Sequence, residues 1–216
     1  MNFKNKNVVI TGGTTGIGLA TAIAFIKAEA TVCITGRNEA NLEKAAAKID
    51  SPNLKTVVSD TSQMNEIVIL EKAIVESGVK IDVLFLNAGI GTFKGIEQMT
   101  EEDFDSQFNT NVKGHFFTLQ KLIPHLADGA SVIFTSSTAA TSANAGTSVY
   151  SATKGALNKI AQVAANELAT RNIRVNVVSP GSTSTPGLSS VLSDEAKLYA
   201  ASVTRLNRLA EPSEIA

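Results

Sequence analysis

Tyr150 and Lys154 stand four residues apart in "SSTAATSANAGTSVYSATKG", a stretch from Ser136 to Gly155 otherwise made almost wholly of small and polar side chains. Four residues is about one helical turn, so a helix starting near Val149 puts the phenol and the ammonium on one face. A phenol with its ordinary pKa of about 10 does not ionise at neutral pH, and a nearby ammonium stabilises the phenolate and lowers that value. Such a tyrosine can give a proton to, or take one from, an oxygen whose carbon gains or loses a hydride. Ser137 follows directly on the apolar run "SVIFTS" (131–136) and precedes Tyr150 by thirteen residues, which can bring its hydroxyl to the same oxygen. Taken singly, Y-x-x-x-K is a common surface pair and a serine at a strand end is commonly a turn residue. Their coincidence with a dinucleotide loop is what gives them chemical weight.

These groups need elements to hold them. Short β-branched runs at 7–11, 31–35, 54–59, 82–87, 131–136 and 173–179 read as strands. Helical patterns lie between them at Ile17–Ala28, Glu39–Ile49, Met64–Glu76, Glu101–Leu126 and Val149–Thr170. Strands alternating with helices predict an α/β fold: a doubly wound parallel sheet flanked by helices on both faces and joined by right-handed crossovers. At 216 residues and 44% hydrophobic, with no internal repeat or linker, the chain fits one domain with one core. Its final helical stretch, 187–209, follows a Gly/Pro/Ser/Thr-rich turn and reads either as a mobile substrate flap or as a plain surface helix pair.

Composition excludes several functions. A net charge of −1 and no long basic run argue against nucleic acid or an anionic membrane as partner. The single cysteine, Cys33, rules out an intramolecular disulfide, fits a reducing compartment and reads as an apolar filler in a strand. With no apolar leader before a cleavage site and no apolar run near about 18 residues, a soluble, cytoplasmic protein is expected. His115 and His125 have no partners at metal-ligand spacing, so they are expected on helix surfaces or at a subunit contact, and no metal site is expected.

The first strand runs into "TGGTTGIG". Gly12, Gly16 and Gly18, with Thr14, Thr15 and Ile17 between them, allow a tight turn, close approach of backbone amides to a pyrophosphate, and helix–strand contact without a Cβ. The spacing G-x-x-x-G-x-G differs from the commoner dinucleotide fingerprint, and any tight strand-to-helix turn can produce a glycine-rich sequence. A second turn, Asn87-Ala88-Gly89, ends the fourth strand. In a sheet of order 3-2-1-4-5-6 both turns face the crevice where the strand order reverses. Asp60, beside Thr61 at the end of the third strand, reads equally as an acceptor for an adenine amino group or as the N-cap of the next helix. At the end of the second strand, an acid would bind the ribose hydroxyl of NAD and repel the 2′-phosphate of NADP; Gly36 takes that place and Arg37 follows. NADP(H) is therefore expected in preference to NAD(H), although Arg37 could instead stack on the adenine.

In order and spacing over nearly the whole chain, "TGGTTGIG", "NAG" at 87–89, "NVKG" at 111–114, Ser137, "YSATK" at 150–154 and "PG" at 180–181 resemble the classical short-chain dehydrogenase/reductases. The resemblance implies a single-domain Rossmann-type fold and a catalytic tetrad of Asn111, Ser137, Tyr150 and Lys154. In it Ser137 would bind the substrate oxygen and Tyr150 would be the acid/base. Lys154 would hold the nicotinamide ribose and lower the phenol pKa, and Asn111 would position a proton-relaying water. It further implies that Asn87 and Gly89 line the cofactor cleft, and that Pro180, Gly181, Thr183 and Thr185 embrace the carboxamide and pyrophosphate. Thr183 replaces the aliphatic residue usual there, a contact made through the backbone. A homotetramer or homodimer is implied, paired through 101–126 and 149–170, with Phe116, Phe117, Leu157 and Ala161 as candidate contacts that could equally face the sheet. The family's last long helix and a seventh strand would lie beyond Ala216, so the sequence is expected to cover the ordered part of a longer protein. The implied reaction is hydride transfer between NADP(H) and a small carbonyl or secondary alcohol. The alternative is a catalytically idle dinucleotide-binding sensor or scaffold, which would have no need of the four catalytic groups.

Overall fold

In the computed structural model, which describes residues 2–216, strand β1 (Asn7–Ile10) sends Val8 and Ile10 into one apolar cluster and Val9 into another. Alternation of side chains about a strand buried on both faces requires this division. Five further strands join β1 in parallel: β2 (Thr31–Gly36), β3 (Leu54–Val58), β4 (Ile81–Leu86), β5 (Leu126–Thr135) and β6 (Arg174–Val178). Their order is β3-β2-β1-β4-β5-β6. Helices α1 (Gly16–Lys27) and α2 (Glu39–Ile49) cover one face, where Ala22, Leu42 and Ala45 meet Ile10, Ile34 and Phe85. On the other face α3 (Met64–Ser77), α5 (His115–Leu122) and α6 (Ser148–Glu167) bring Leu70, Leu119 and Leu157 against Leu84, Leu86 and Phe134. Leu157 and Ala161, candidates for a subunit contact, thus belong to the core, because the sheet-facing stripe of α6 takes them.

The helix expected over 101–126 is interrupted. A capping box between Thr100 and Asp103 starts α4 (Glu101–Phe108), and a π-helical turn, Asn109–Gly114, then separates it from α5. Widening one turn rotates everything after it relative to a regular helix, and His115, expected at the surface, lies fully buried. His125 fits the expectation better: it is partly exposed, with Nε2 3.8 Å from Glu71. Residues 123–125 leave the helix as a single 3-10 turn, and Leu126 already pairs with Ile81. A register shift with Gly129 at φ +79° then carries β5 to the expected strand at Ser131.

Beyond β6, α7 (Pro186–Ser189) is N-capped by the Thr185 side chain and α8 (Asp194–Ser202) by that of Ser193. The two ends of this excursion are pinned together, since Ser184 N–H donates to the Ala210 carbonyl and Ala210 N–H to that of Ser182. Among the described residues no helix is long and apolar enough to cross a membrane. The π-helical turn packs on the loop after β3 through Gly114, whose missing Cβ would overlap the Thr61 carbonyl oxygen and lie 2.6 Å from Thr61 Cγ2. Crowding of this kind costs about 1–3 kcal/mol. Gly114→Ala should therefore lower the urea midpoint measurably, and a wild-type midpoint would contradict the packing described.

Candidate active site

Asn87, the first residue past β4, ties three strand ends together. Its N–H donates to Thr11 Oγ1 at 2.9 Å, and that of Ala88 reaches the same oxygen at 3.2 Å. Its side-chain amide donates to the carbonyls of Thr11 and Gly12, both at 3.2 Å, and its Oδ1 accepts the Thr135 hydroxyl at 3.1 Å. Thr11, Asn87 and Thr135 follow β1, β4 and β5 or end them, so one amide spans the point where the strand order reverses. The Thr135 carbonyl then accepts Lys154 Nζ at 2.8 Å.

The cleft that opens there, about 610 Å³, gathers every catalytic or cofactor-binding candidate named from the sequence except Gly18 and Asn111. Gly12 has φ +66° and Gly16 φ +55°, which favours glycine, and a Cβ on Gly12 would stand 2.8 Å from Ala88 Cα. At the start of α1, Thr15 makes no side-chain cap and the first turn carries no acid. The unsatisfied N–H groups of that helix end suit an anion such as a pyrophosphate. Gly18 does not line the cleft: its Cβ would overlap the Gly12 carbonyl oxygen and lie 2.6 Å from Asn87 Nδ2, so its part is close packing of α1 beneath the turn. Gly36 is equally constrained, with Thr14 Cγ2 2.6 Å from where its Cβ would be, while Arg37 is exposed and among the described residues makes no ion pair. Asp60 is not the N-cap of α3, a place taken by Gln63; its Oδ1 accepts the Ser62 N–H at 2.8 Å and its N–H reaches Glu66. Thr61 lines the cleft beside it.

Ser137, Tyr150 and Lys154 meet on the β5 side. Ser137 Oγ accepts the Ala139 N–H at 3.1 Å, and Lys154 Nζ lies 5.6 Å from the centre of the Tyr150 ring. Loss of water raises the phenol pKa, with the Ser137 hydroxyl drawing it partly back. The direction is opposite to the lowering expected from Lys154, whose ammonium is spent on the Thr135 carbonyl. Burial also pushes Lys154 down to about 8. Asn111 is fully buried behind these groups. Its Oδ1 accepts the Ile90 N–H at 2.9 Å, and its Nδ2 donates to the Ile90 carbonyl at 2.8 Å and to Thr153 Oγ1 at 3.1 Å. The Thr153 hydroxyl in turn donates to the Tyr150 carbonyl. The Asn111 carbonyl lies 2.7 Å from His115 Nδ1, and burial holds that imidazole neutral with a pKa of about 3. Among the described residues no cluster of three or more His, Cys, Asp or Glu could hold a metal ion.

Several participants escape a reading of the sequence. Thr11 and Thr135 look like ordinary strand-end residues, and nothing local marks Thr153 as a link between Asn111 and Tyr150. Asn38 and Asn41, cleft neighbours of Arg37, also form the N-cap of α2. Phe93 lines the cleft and packs edge-to-face on Tyr150, with centroids 5.4 Å apart at 85°. From the excursion after β6, only its first residues, among them Leu188 and Val191, reach the cleft. Pro180, Gly181, Thr183 and Thr185 line it, with the Thr183 hydroxyl turned to the Gly181 carbonyl at 3.0 Å and Thr185 Cγ2 over Gly16.

A family model described as short chain dehydrogenase matches residues 6–196. The chain is 35% identical over 225 residues to a 3-oxoacyl-(acyl-carrier-protein) reductase, FabG, of Thermotoga maritima, an alignment covering 100% of this chain and 89% of that protein. Among solved structures it is similar to a 3-ketoacyl-(acyl-carrier-protein) reductase from Brucella melitensis complexed with NADH (TM-score 0.89, 30% identity, 98% of this chain and 88% of that one). A short chain dehydrogenase from Burkholderia cenocepacia J2315 in complex with NADP superposes with a TM-score of 0.91 at 28% identity, covering 100% and 89% of the two chains. With a doubly wound sheet, a glycine-rich turn at its reversal point and these relatives, the chain belongs to the short-chain dehydrogenase/reductase family of NAD(P)-dependent oxidoreductases.

Proposed function

We propose that the protein interconverts a small carbonyl compound and its alcohol using NADP(H) in preference to NAD(H). The observation that carries this reading is one cleft with a phenol, a serine and an ammonium on the β5 side and an unpaired guanidinium past β2 on the other. The amides of the glycine-rich turn would hold the pyrophosphate, Asp60 and Thr61 the adenine, Arg37 the 2′-phosphate, and Lys154 the nicotinamide ribose. Asn87 to Gly89, Pro180, Gly181, Thr183 and Thr185 would close round the rest. When bound, the nicotinamide supplies a hydride to the carbonyl carbon or takes it back. Ser137 donates a hydrogen bond to the substrate oxygen, and Tyr150 gives it a proton. The phenol is protonated at neutral pH, as any tyrosine of ordinary pKa is, and so can give its proton to the substrate oxygen in reduction. Asn111 acts through its neighbours, holding Ile90 on one side and Thr153, hence α6, on the other.

Exposed Phe104, stacked on Phe108 at 4.5 Å, and exposed Phe116 support a homodimer or homotetramer built on α4 and α5. The even charge balance and the absence of a spanning helix among the described residues support a cytoplasmic protein that acts on small molecules rather than on nucleic acid or membranes.

Three results test the reading. Tyr150→Phe keeps the ring and removes the proton, so kcat should fall by about 10²–10⁴ with NADPH affinity nearly unchanged; a variant at half the wild-type rate would sink the mechanism. A charge-assisted contact contributes about 1.5–3 kcal/mol, or about ten- to a hundredfold. NADPH should therefore be preferred to NADH by that order in kcat/KM, mainly through KM, and Arg37→Ala should erase the preference. Wild type preferring NADH would count against it. Lys154 is an ammonium only below its pKa of about 8. Reduction should accordingly be level at lower pH and decline as pH rises through about 8, whereas a profile flat to pH 10 would show that this charge is not needed.

A further inference from the structure

Among the described residues Phe93 is the one aromatic ring packed on the Tyr150 ring, and its backbone is well held. Ile90 is bound through both its N–H and its carbonyl by the buried Asn111. Thr92 N–H donates to Oε1 of Gln107, itself fully buried, at 3.1 Å. Lys94 N–H donates to the Gly146 carbonyl at 3.0 Å, and its ammonium pairs with Asp103 at 2.5 Å. Four anchors within five residues leave the segment little freedom to swing away from the tyrosine. Gly91 shows what the arrangement requires. Its φ is not in the left-handed region, so the glycine is not demanded by backbone conformation. A Cβ there would lie 3.2 Å from Phe93 Cζ and 3.3 Å from Tyr150 Cδ2, so its absence makes room for the two rings to meet.

The rest of this end of the cleft is uncharged. Ile90, Leu188 and Val191 join Phe93 in the lining. The charged side chains that line the cleft are Arg37 and Asp60, past β2 and β3 on the far side of the reversal point, and Lys154, committed to Thr135. A carboxylate placed next to the reacting carbonyl would lose water and meet no free cation. An aromatic group would meet Phe93, with edge-to-face or offset stacking available to it.

We propose that Phe93, kept against Tyr150 by Gly91, determines specificity for uncharged ketones or aldehydes that carry an aromatic or flat apolar group beside the carbonyl. This rests on the carbonyl-reductase reading of the same site. Phe93 acts by contact with the substituent and not on the proton transfer, so its loss should appear in KM and in the ranking of substrates.

The test compares wild type with Phe93→Ala, Phe93→Leu and Gly91→Ala, using NADPH with acetophenone, 2-butanone and pyruvate. Phe93 is only partly buried and lies outside a helix or strand, so these variants are expected to fold. Wild type should favour acetophenone over 2-butanone in kcat/KM at least tenfold and turn over pyruvate most slowly. Phe93→Ala should reduce that acetophenone preference about tenfold, chiefly through KM, with NADPH affinity unaltered, and Phe93→Leu should recover part of it. Gly91→Ala, which retains Phe93 but crowds its contact with Tyr150 by a few tenths of an ångström, should move the preference in the same direction as Phe93→Ala and by less. A preference in Phe93→Ala within twofold of wild type, or a wild-type preference for pyruvate, would overturn the role of Phe93 and leave carbonyl reduction standing. Failure of wild type to oxidise NADPH with any of the three would overturn both.

Discussion

A single carboxamide, that of Asn87, holds the site together. It donates to the ends of β1, accepts from the end of β5, and sits at the end of β4. At that place the chain has turned outward in both directions, and the strand ends would otherwise splay with unsatisfied backbone groups. Closing the gap with side-chain hydrogen bonds fixes the glycine-rich turn relative to Thr135, and Thr135 fixes the ammonium of Lys154. The glycine-rich turn and the buried ammonium are thereby two ends of one hydrogen-bonded chain. Gly18 and Gly12 contribute by having nothing to put in the way, since a side chain at either would collide with this junction.

Around that junction the protein buries more polarity than packing alone would favour. Lys154 is 3% exposed and Asn111, Gln107, His115 and Thr153 almost fully enclosed. Removing an ammonium from water is costly, and the lowering of the Lys154 pKa to about 8 expresses that cost. The imidazole of His115 meets the same demand by remaining neutral, with Nδ1 on the Asn111 carbonyl and Nε2 without a partner among the described residues. The dryness that strains these groups also strengthens the electrostatic contacts among them. Burial raises the phenol and lowers the ammonium, so the two move apart in pKa and each is biased toward its neutral form.

Much of this was legible in the sequence, and where it was not the reason is physical. The strands and the outer helices follow from local periodicity, and the turn residues at Gly12, Gly16 and Gly89 from the spacing of glycine. That Tyr150, Lys154 and Ser137 lie together follows from one helix turn and one strand end that carry them. The π-helical turn was not, because an inserted residue leaves the apolar pattern of 101–126 nearly intact while turning His115 inward. Gly114, small at a place where a helix grazes the Thr61 carbonyl, is the signal that marked it. Phe93 was missed because its partner is distant in sequence and the bonds that hold it come from Asn111, Gln107 and Gly146. The direction of the Tyr150 pKa does not follow from charge alone, since spacing does not reveal desolvation.

The central claim is that this junction positions groups for hydride transfer to a carbonyl, not merely for holding a dinucleotide. The most direct measurement is to supply NADPH deuterated at nicotinamide C4 together with an aryl ketone and to locate the label in the alcohol formed. The account predicts deuterium on the carbinol carbon, delivered from one face of the nicotinamide only. Tight NADPH binding with no label reaching any carbonyl carbon would contradict it.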